Sequence, residues 1–480
     1  MGGQSLIERV PSGIDGLDQL VEGGFPKGSL ILLAGNPGTG KTIFGSRFLC
    51  RGQERYDENG IYVSFLEGKE THIANISRFC DQDHVKLDKE GRCRILDFVT
   101  MKEQGVSVTL ESILREIHAL EAKRLVIDSF SAMAQALKDP TDARVILHTI
   151  LSKMVRQAGC TTLLIVETSI GRETLGLGVE EFVADGVIIL RKGEIEGRLV
   201  RELEISKMRG TEIRQPRSVF TLDRGFRICA PLSIEFPKER RRFEPIPDTD
   251  TNYSTGSREL DEMLGGGYPK GSLWVIERDL TVPYVLQRLI ARVAAFNFLQ
   301  HRRGVIIYPA PSATHEEIDQ DYRGFVDHEA LQLVRVCEIS PRSRHPSVLP
   351  IGGAAKDLEN DERAWNDAKE ESRRKTGKPI LMVLSLETLE NRYMESKEKL
   401  FNMITNQVSS CRVDGDLAIA FSRPRLATGL RALSPAGNLV RLTEKDGAIL
   451  FYGVNPRTEL HAIGLDFSEG YPRLGLTLIT

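Results

Sequence analysis

At 480 residues, 41% hydrophobic and 27% charged, the chain is composed like an ordinary globular protein, with room for two or three domains that each bury a full core. A net charge of −3 excludes a global pull toward nucleic acid or acidic membranes. Seven cysteines without a C-x-x-C pair argue against a zinc site or disulfide framework. With no signal pattern or membrane-length apolar run, they lead to the expectation of a cytoplasmic protein with no membrane partner.

In chain order, Ser12–Leu30 is a lead-in punctuated by Gly23-Gly24 and Pro26-Lys27-Gly28. It delivers the chain into an apolar strand, Ser29–Ala34. Gly35–Thr42 then reads GNPGTGKT, the G-x-x-x-x-G-K-[ST] pattern, and Thr42–Leu49 continues at helical spacing. Strand, glycine loop and helix in that order make a phosphate cradle. The loop of Gly35, Asn36, Pro37, Gly38, Thr39 and Gly40 turns inward the backbone N–H groups of every residue but Pro37, which has none, and the helix N-terminus adds its positive dipole end. Lys41 then reaches the β- and γ-phosphates, and the Thr42 hydroxyl ligates Mg²⁺.

After the turn at Asn59-Gly60, Ile61–Leu66 reads as a strand ending at Glu67, and helical spacing resumes over Ile73–Phe79. Arg94–Val99 is a further strand and Leu110–Leu120 an amphipathic helix. Alternation of this kind predicts parallel βαβ units. Arg124–Ser129 (RLVIDS) is a buried-type strand ending in Asp128. Alone, that residue reads as a strand-end or helix cap; paired with the phosphate loop it reads as a second holder of the Mg²⁺ shell. Thr161–Val166 ends at Glu167, and Val187–Leu190 and Leu203–Ser206 read as antiparallel ribs.

Together, Ser12–Leu30, GNPGTGKT, RLVIDS, Gly178–Leu190 and Glu204–Thr211 resemble the KaiC family of RecA-like ATPases over nearly all of residues 7–228. The resemblance implies an α/β fold of tandem RecA-like P-loop domains, each a mostly parallel sheet flanked by helices. It also implies a ring, usually a hexamer, with ATP between subunits. The family's K-x-R segment, which reaches the neighbour's γ-phosphate, maps to Lys207 and Arg209; without the resemblance these read as a solvated strand end. Where the family has adjacent glutamates, this chain has Leu66-Glu67-Gly68. Glu67 is therefore expected to orient the attacking water, with slow turnover. The family's base pocket is partly matched, by Thr211 and Asp223.

Thr255–Leu273 repeats Ser12–Leu30 at a constant offset, which implies an internal duplication. In the second copy the loop reads Arg278–Val285 (RDLTVPYV), without cradle glycines or lysine. The strand Leu381–Ser385 puts Leu384 where Asp128 stood, and no K-x-R pair appears around Leu460–Leu465. The expected organisation is an intact ATPase domain over 1–230, a Pro/Arg-rich linker over 231–251 and a degenerate domain over 252–480 that binds no Mg-ATP and has no autokinase activity. Strands are expected at Val305–Tyr308, Leu331–Val336, Leu381–Leu386, Leu417–Phe421 and Ala448–Tyr452. Ala354–Lys378, with its lone Trp365, reads as a solvated helix or a mobile insertion. The basic run Lys238–Arg242 reads as a solvated linker or a docking patch that Arg302-Arg303 and Arg373-Arg374-Lys375 could extend.

The leading expectation is a regulatory ATPase ring with an unidentified protein partner. One alternative is a nucleotide-binding scaffold with little turnover, similar to the archaeal gas-vesicle regulators. Another is a recombination accessory, but Thr168–Glu181, with one arginine and several acids, argues against strong nucleic-acid binding.

Overall fold

The computed structural model describes residues 7–77, 90–99, 106–135, 146, 148, 150–168, 183–234, 237, 239–308, 314–339, 345–351, 358–426 and 437–480. It divides into two compact units, Met1–Ala230 with Leu478–Thr480, and Pro231–Thr477.

In the first unit, β1 (Leu30–Gly35) is buried at every position because it lies mid-sheet, with parallel partners on both sides. It leads through the glycine loop into α1 (Lys41–Tyr56). There follow β2 (Gly60–Ser64), α2 (Lys69–Ile76), β3 (Cys93–Asp97), α3 (Val106–Leu120), β4 (Arg124–Asp128) and β5 (Thr161–Glu167). A long antiparallel hairpin, β6 (Gly186–Ile195) and β7 (Arg198–Met208), then leads to β8 (Arg217–Thr221) and the short β9 (Arg227–Ile228). The nine strands order as β9-β8-β7-β6-β1-β5-β4-β2-β3. Alternate residues of β1 serve opposite faces: Leu30, Leu32 and Ala34 join one apolar cluster, Ile31 and Leu33 the other. The helix expected over Ile73–Phe79 begins earlier, at Lys69, and Phe79 lies outside the described residues.

The second unit repeats the plan. Its elements are β10 (Ser272–Arg278), α4 (Tyr284–Gln300), β11 (Val305–Tyr308), α5 (His315–Tyr322), α6 (His328–Leu331), β12 (Val334–Ile339), β13 (Val348–Ile351), α7 (Leu358–Thr376) and β14 (Leu381–Ser385). After these come α8 (Leu386–Arg392), α9 (Lys397–Asp414), β15 (Leu417–Ser422), β16 (Asn438–Lys445), β17 (Ala448–Asn455), β18 (His461–Asp466) and β19 (Arg473–Leu478). Ten strands order as β13-β12-β11-β14-β15-β10-β16-β17-β18-β19. The duplication survives in local chemistry. Asp18 Oδ1 accepts from the Ser12 N–H at 2.8 Å, and its counterpart Asp261 Oδ1 accepts from the Thr255 N–H at 2.7 Å.

Four readings change. The strand expected at Leu331–Val336 starts at Val334, because the Asp327 carboxylate caps α6 by accepting from the Ala330 N–H at 2.8 Å. The counterpart of β7 is β17 rather than the strand around Leu460–Leu465; it ends Asn455-Pro456-Arg457, again without K-x-R. The segment with a linker's composition belongs to the second unit. Phe243 is buried there, the Arg240 guanidinium donates to the Gln320 and Arg323 carbonyls at 2.6 and 2.9 Å, and Arg242 pairs with Asp327 at 2.5 Å. Arg302 pairs with Asp327, Arg303 with Asp248 and Arg373 with Asp414 and Asp416, so these cations are engaged within the unit. Finally, α7 buries a stripe of Leu358, Trp365, Ala368, Lys369 and Ser372, the spacing of one helical face, while Glu359, Arg363, Asp367, Glu370, Glu371, Arg374 and Lys375 lie exposed. Lys369 Nζ is satisfied by Gln407 Oε1 at 2.7 Å and Ser410 Oγ at 2.9 Å.

Candidate nucleotide site

The site forms where β1, β2, β4 and β5 end together, the place where open α/β sheets bind ligands. Gly35 has no room for a side chain: an added Cβ would lie 2.6 Å from the Leu190 carbonyl oxygen and 2.8 Å from Thr39 Oγ1. Gly38 adopts φ +72°, and its Cβ would meet Lys192 Nζ at 2.7 Å. Lys41 is 7% exposed, and its ammonium donates to the Gly35 and Asn36 carbonyls at 2.8 and 3.0 Å. Burial pushes it below the usual lysine range, against the opposing charges of Glu167 and Asp128.

The Thr42 hydroxyl donates to Asp128 Oδ2 at 2.9 Å, and the Tyr62 hydroxyl donates to the same oxygen at 2.5 Å. Burial raises the Asp128 carboxyl above its ordinary range, opposed by these two hydrogen bonds and by Lys41. In register, Ser64 lies opposite Asp128 across β2 and β4, which sets Glu67 just past the same edge. The Ser64 hydroxyl ties down the Glu67 backbone, donating to its carbonyl at 2.6 Å and accepting from its N–H at 3.2 Å. Asn75 Nδ2 holds the Glu67 carboxylate at 3.0 Å.

Lys207, Arg209 and Thr211 lie elsewhere. Lys207 Nζ donates to the Ala184 carbonyl at 2.7 Å, and Arg209 pairs with Asp185 at 3.0 Å, while Asp185 also receives the Leu30 N–H. They therefore stand at the Leu30 end of β1, about 17 Å from the Gly35 end for a strand rising ~3.3 Å per residue. Thr211 joins that end, accepting from Arg9 at 2.5 Å. Asp223 stays near the loop, since Leu222 Cδ2 lies 3.1 Å from where a Gly40 Cβ would be. The expected base pocket is thus split within one chain, because β7 runs antiparallel to β6 and carries Thr211 to the far edge.

The family described as "ATPase: KaiC" matches residues 10–231. A UPF0273 protein of Sulfurisphaera tokodaii is 32% identical over 272 residues, covering 54% of this chain and 92% of that protein. The chain belongs to the KaiC family of ATPases. The circadian clock oscillator protein KaiC of Synechococcus elongatus is 35% identical over 280 residues, 56% of this chain and 51% of that one. The clock protein KaiC3 of Synechocystis is 31% identical, covering 56% and 54%. The matched region spans about half the length of these two clock proteins. Among solved structures, a KaiC-like protein from Pyrococcus horikoshii is 37% identical and covers 46% of this chain and 99% of that one, with a TM-score of 0.42.

Four residues near this KaiC-family loop escape sequence reasoning. Tyr62 is hidden among strand residues, and only the fold brings its hydroxyl to Asp128. Glu167 stands opposite Gly35 in register, a position that strand order alone exposes. Thr168 donates to Asn36 Oδ1 at 2.7 Å, and Lys192 approaches the Pro37 carbonyl at 3.4 Å. The loop expected at Thr168–Glu181 lies outside the described residues beyond Thr168. Among the described residues no helix is long and apolar enough to cross a membrane.

In the second unit the corresponding strand ends carry no acid. Ser385 caps α8 by accepting from the Thr388 N–H at 3.3 Å, as Ser129 accepts from Ala132 at 3.2 Å, which sets Leu384 in the place of Asp128. Register through β10 and β15 places Ser422 level with Val166, so Arg423 follows where Glu167 does.

Proposed function

We propose that the first unit binds and slowly hydrolyses ATP with Mg²⁺, in a ring where a neighbouring chain completes the site, and that the second unit binds no nucleotide and serves assembly or signalling. The observation that carries the reading is the Thr42–Asp128 pair, 2.9 Å apart beside Lys41 at the end of the glycine loop. Two hard oxygen donors at that separation suit a small divalent cation. Mg²⁺, when bound, neutralises charge on the β- and γ-phosphates.

The chain's own groups do the rest. Gly35–Thr42 cradles the phosphates, Lys41 turns from the loop carbonyls to the phosphate oxygens, and Tyr62 keeps Asp128 ionised. Glu67, oriented by Asn75, aligns the water. Lys207 and Arg209 stand too far from their own loop to serve it, which supports their use in trans, where cations offset charge developing during phosphoryl transfer. In that arrangement Thr211 comes from one chain and Asp223 from the next. With no glycine loop, lysine or carboxylate in the second unit, autokinase activity is not expected. A protein partner would read the nucleotide state of the ring.

The test is ATP hydrolysis by the full chain beside Lys41→Ala. The expected result is slow turnover that Lys41→Ala abolishes. Nucleotide binding with no turnover above that background would replace the enzyme reading with a nucleotide-binding scaffold.

A further inference from the structure

In the first unit Gly45 seats α1 against the sheet, since a Cβ there would lie 2.9 Å from Val126 Cγ1. At the repeat's offset the second unit has Arg288, and α4 starts with Tyr284 where α1 starts with Lys41. A cavity opens at this place, between α4, α5 and the ends of β11, β14 and β15. The centres of water-sized atoms can range over about 70 Å³ within it, several times the ~15 Å³ that a single water needs. Tyr284, Tyr322 and Phe421 supply aromatic walls, and Ile307 and Leu384 complete an apolar lining. Two cations reach into it, Arg288 and Arg292, and both pair with one carboxylate, Asp321. The Arg292 side chain is only 10% exposed, and the other charged side chains acting on it, Arg288 and Arg240, are cations. The cavity therefore holds one positive charge more than its carboxylate offsets, inside an apolar wall.

A triphosphate does not fit this chemistry, because Tyr284 and Leu384 replace the lysine and the metal-binding acid. A flat apolar body carrying a single negative charge does. We propose that the second unit binds a small aromatic monocarboxylate here, its ring against Tyr284 and Phe421 and its carboxylate on the Arg288 and Arg292 guanidinium groups. Arginine presents paired N–H donors that match a carboxylate, and a desolvated wall strengthens the pairing. The site is a non-nucleotide effector pocket made from the lost metal and phosphate end of an ATPase fold. It stands independently of turnover in the first unit.

The test is equilibrium binding of benzoate, salicylate and indole-3-acetate to the full chain, each beside its neutral amide. The carboxylates should bind saturably, one per chain, and the amides roughly tenfold to a hundredfold more weakly. Arg288→Gln should erase that preference, and Ala291→Phe, which fills the cavity, should abolish binding by both, with thermal melts confirming folded variants. Lys41→Ala and saturating ATP should leave carboxylate binding unchanged, which separates this site from the nucleotide site. Equal binding of acid and amide, no saturable binding, or carboxylate affinity indifferent to both Arg288→Gln and Ala291→Phe overturns the proposal.

Discussion

Asp128 is a buried carboxylate that must be ionised to hold a cation, and its environment works against that. Burial raises its pKa, while hydrogen bonds from Tyr62 and Thr42 bring it down. Acidification should therefore weaken Mg-ATP binding at a pH above the ordinary aspartate range. Tyr62→Phe removes one of the two bonds that favour the ionised form, so its midpoint should move to higher pH. Titrating Mg-ATP affinity against pH in both proteins checks this; coincident curves would show that Tyr62 does not support Asp128. At Gly38, alanine would need φ +72° and would push Lys192 Nζ from 2.7 Å. Gly38→Ala should weaken ATP binding about tenfold or more, given a strain of roughly 1–2 kcal/mol, while the melting temperature shifts by only a few degrees.

At the scale of elements, α1 lies on β4 through a glycine contact. A Cβ on Gly52 would sit 2.2 Å from Arg124 Nε. Arg124 is fully buried and cannot yield freely: it pairs with Glu58 at 2.6 Å, donates to the Phe48 carbonyl at 2.8 Å and stacks 4.6 Å over the Phe48 ring. Gly52→Ala should cost about 1–3 kcal/mol by overpacking, read as a lower urea midpoint; an unchanged midpoint would mean the helix slides without penalty. The β6–β7 hairpin spans the sheet from Lys192 near the loop to Arg209 at the opposite edge. Mixing Lys41→Ala chains with Arg209→Ala chains should therefore restore part of the hydrolysis that each lacks. Failure at every mixing ratio would count against a shared site.

For the molecule as a whole, two units of one plan differ where the first has its glycine loop and acidic strand ends. Tyr284, Leu384 and Arg423 stand where the first unit has Lys41, Asp128 and Glu167, and each change removes or reverses a charge beside the loop. The full chain should bind one ATP per chain by equilibrium dialysis, and Lys41→Ala should bind none. Two per chain, or one remaining in Lys41→Ala, would show that the second unit retains a nucleotide site.

The α/β class, the glycine loop between strand and helix, Asp128 at a strand end and the duplication are legible in the residues alone. These are local or periodic signals: a glycine loop between strand and helix, an acid closing an apolar run, a repeat at constant offset. The residues alone also show that the second copy lacks loop and acid, because absent residue types are visible without coordinates. Which strand ends meet depends on the order of strands across the sheet. Tyr62 joins Asp128, and Glu167 stands opposite Gly35, because strand order places β4 between β2 and β5 and β5 beside β1, an order no local pattern encodes. Arg240, Arg241 and Arg242 are exposed, as a charged run suggests, but composition cannot show that Arg240 and Arg242 are anchored to α5 and the head of α6, some 80 residues away. Lys207 and Arg209 were legible as cations, but the antiparallel turn of β7 puts them at the sheet edge away from their own phosphate loop.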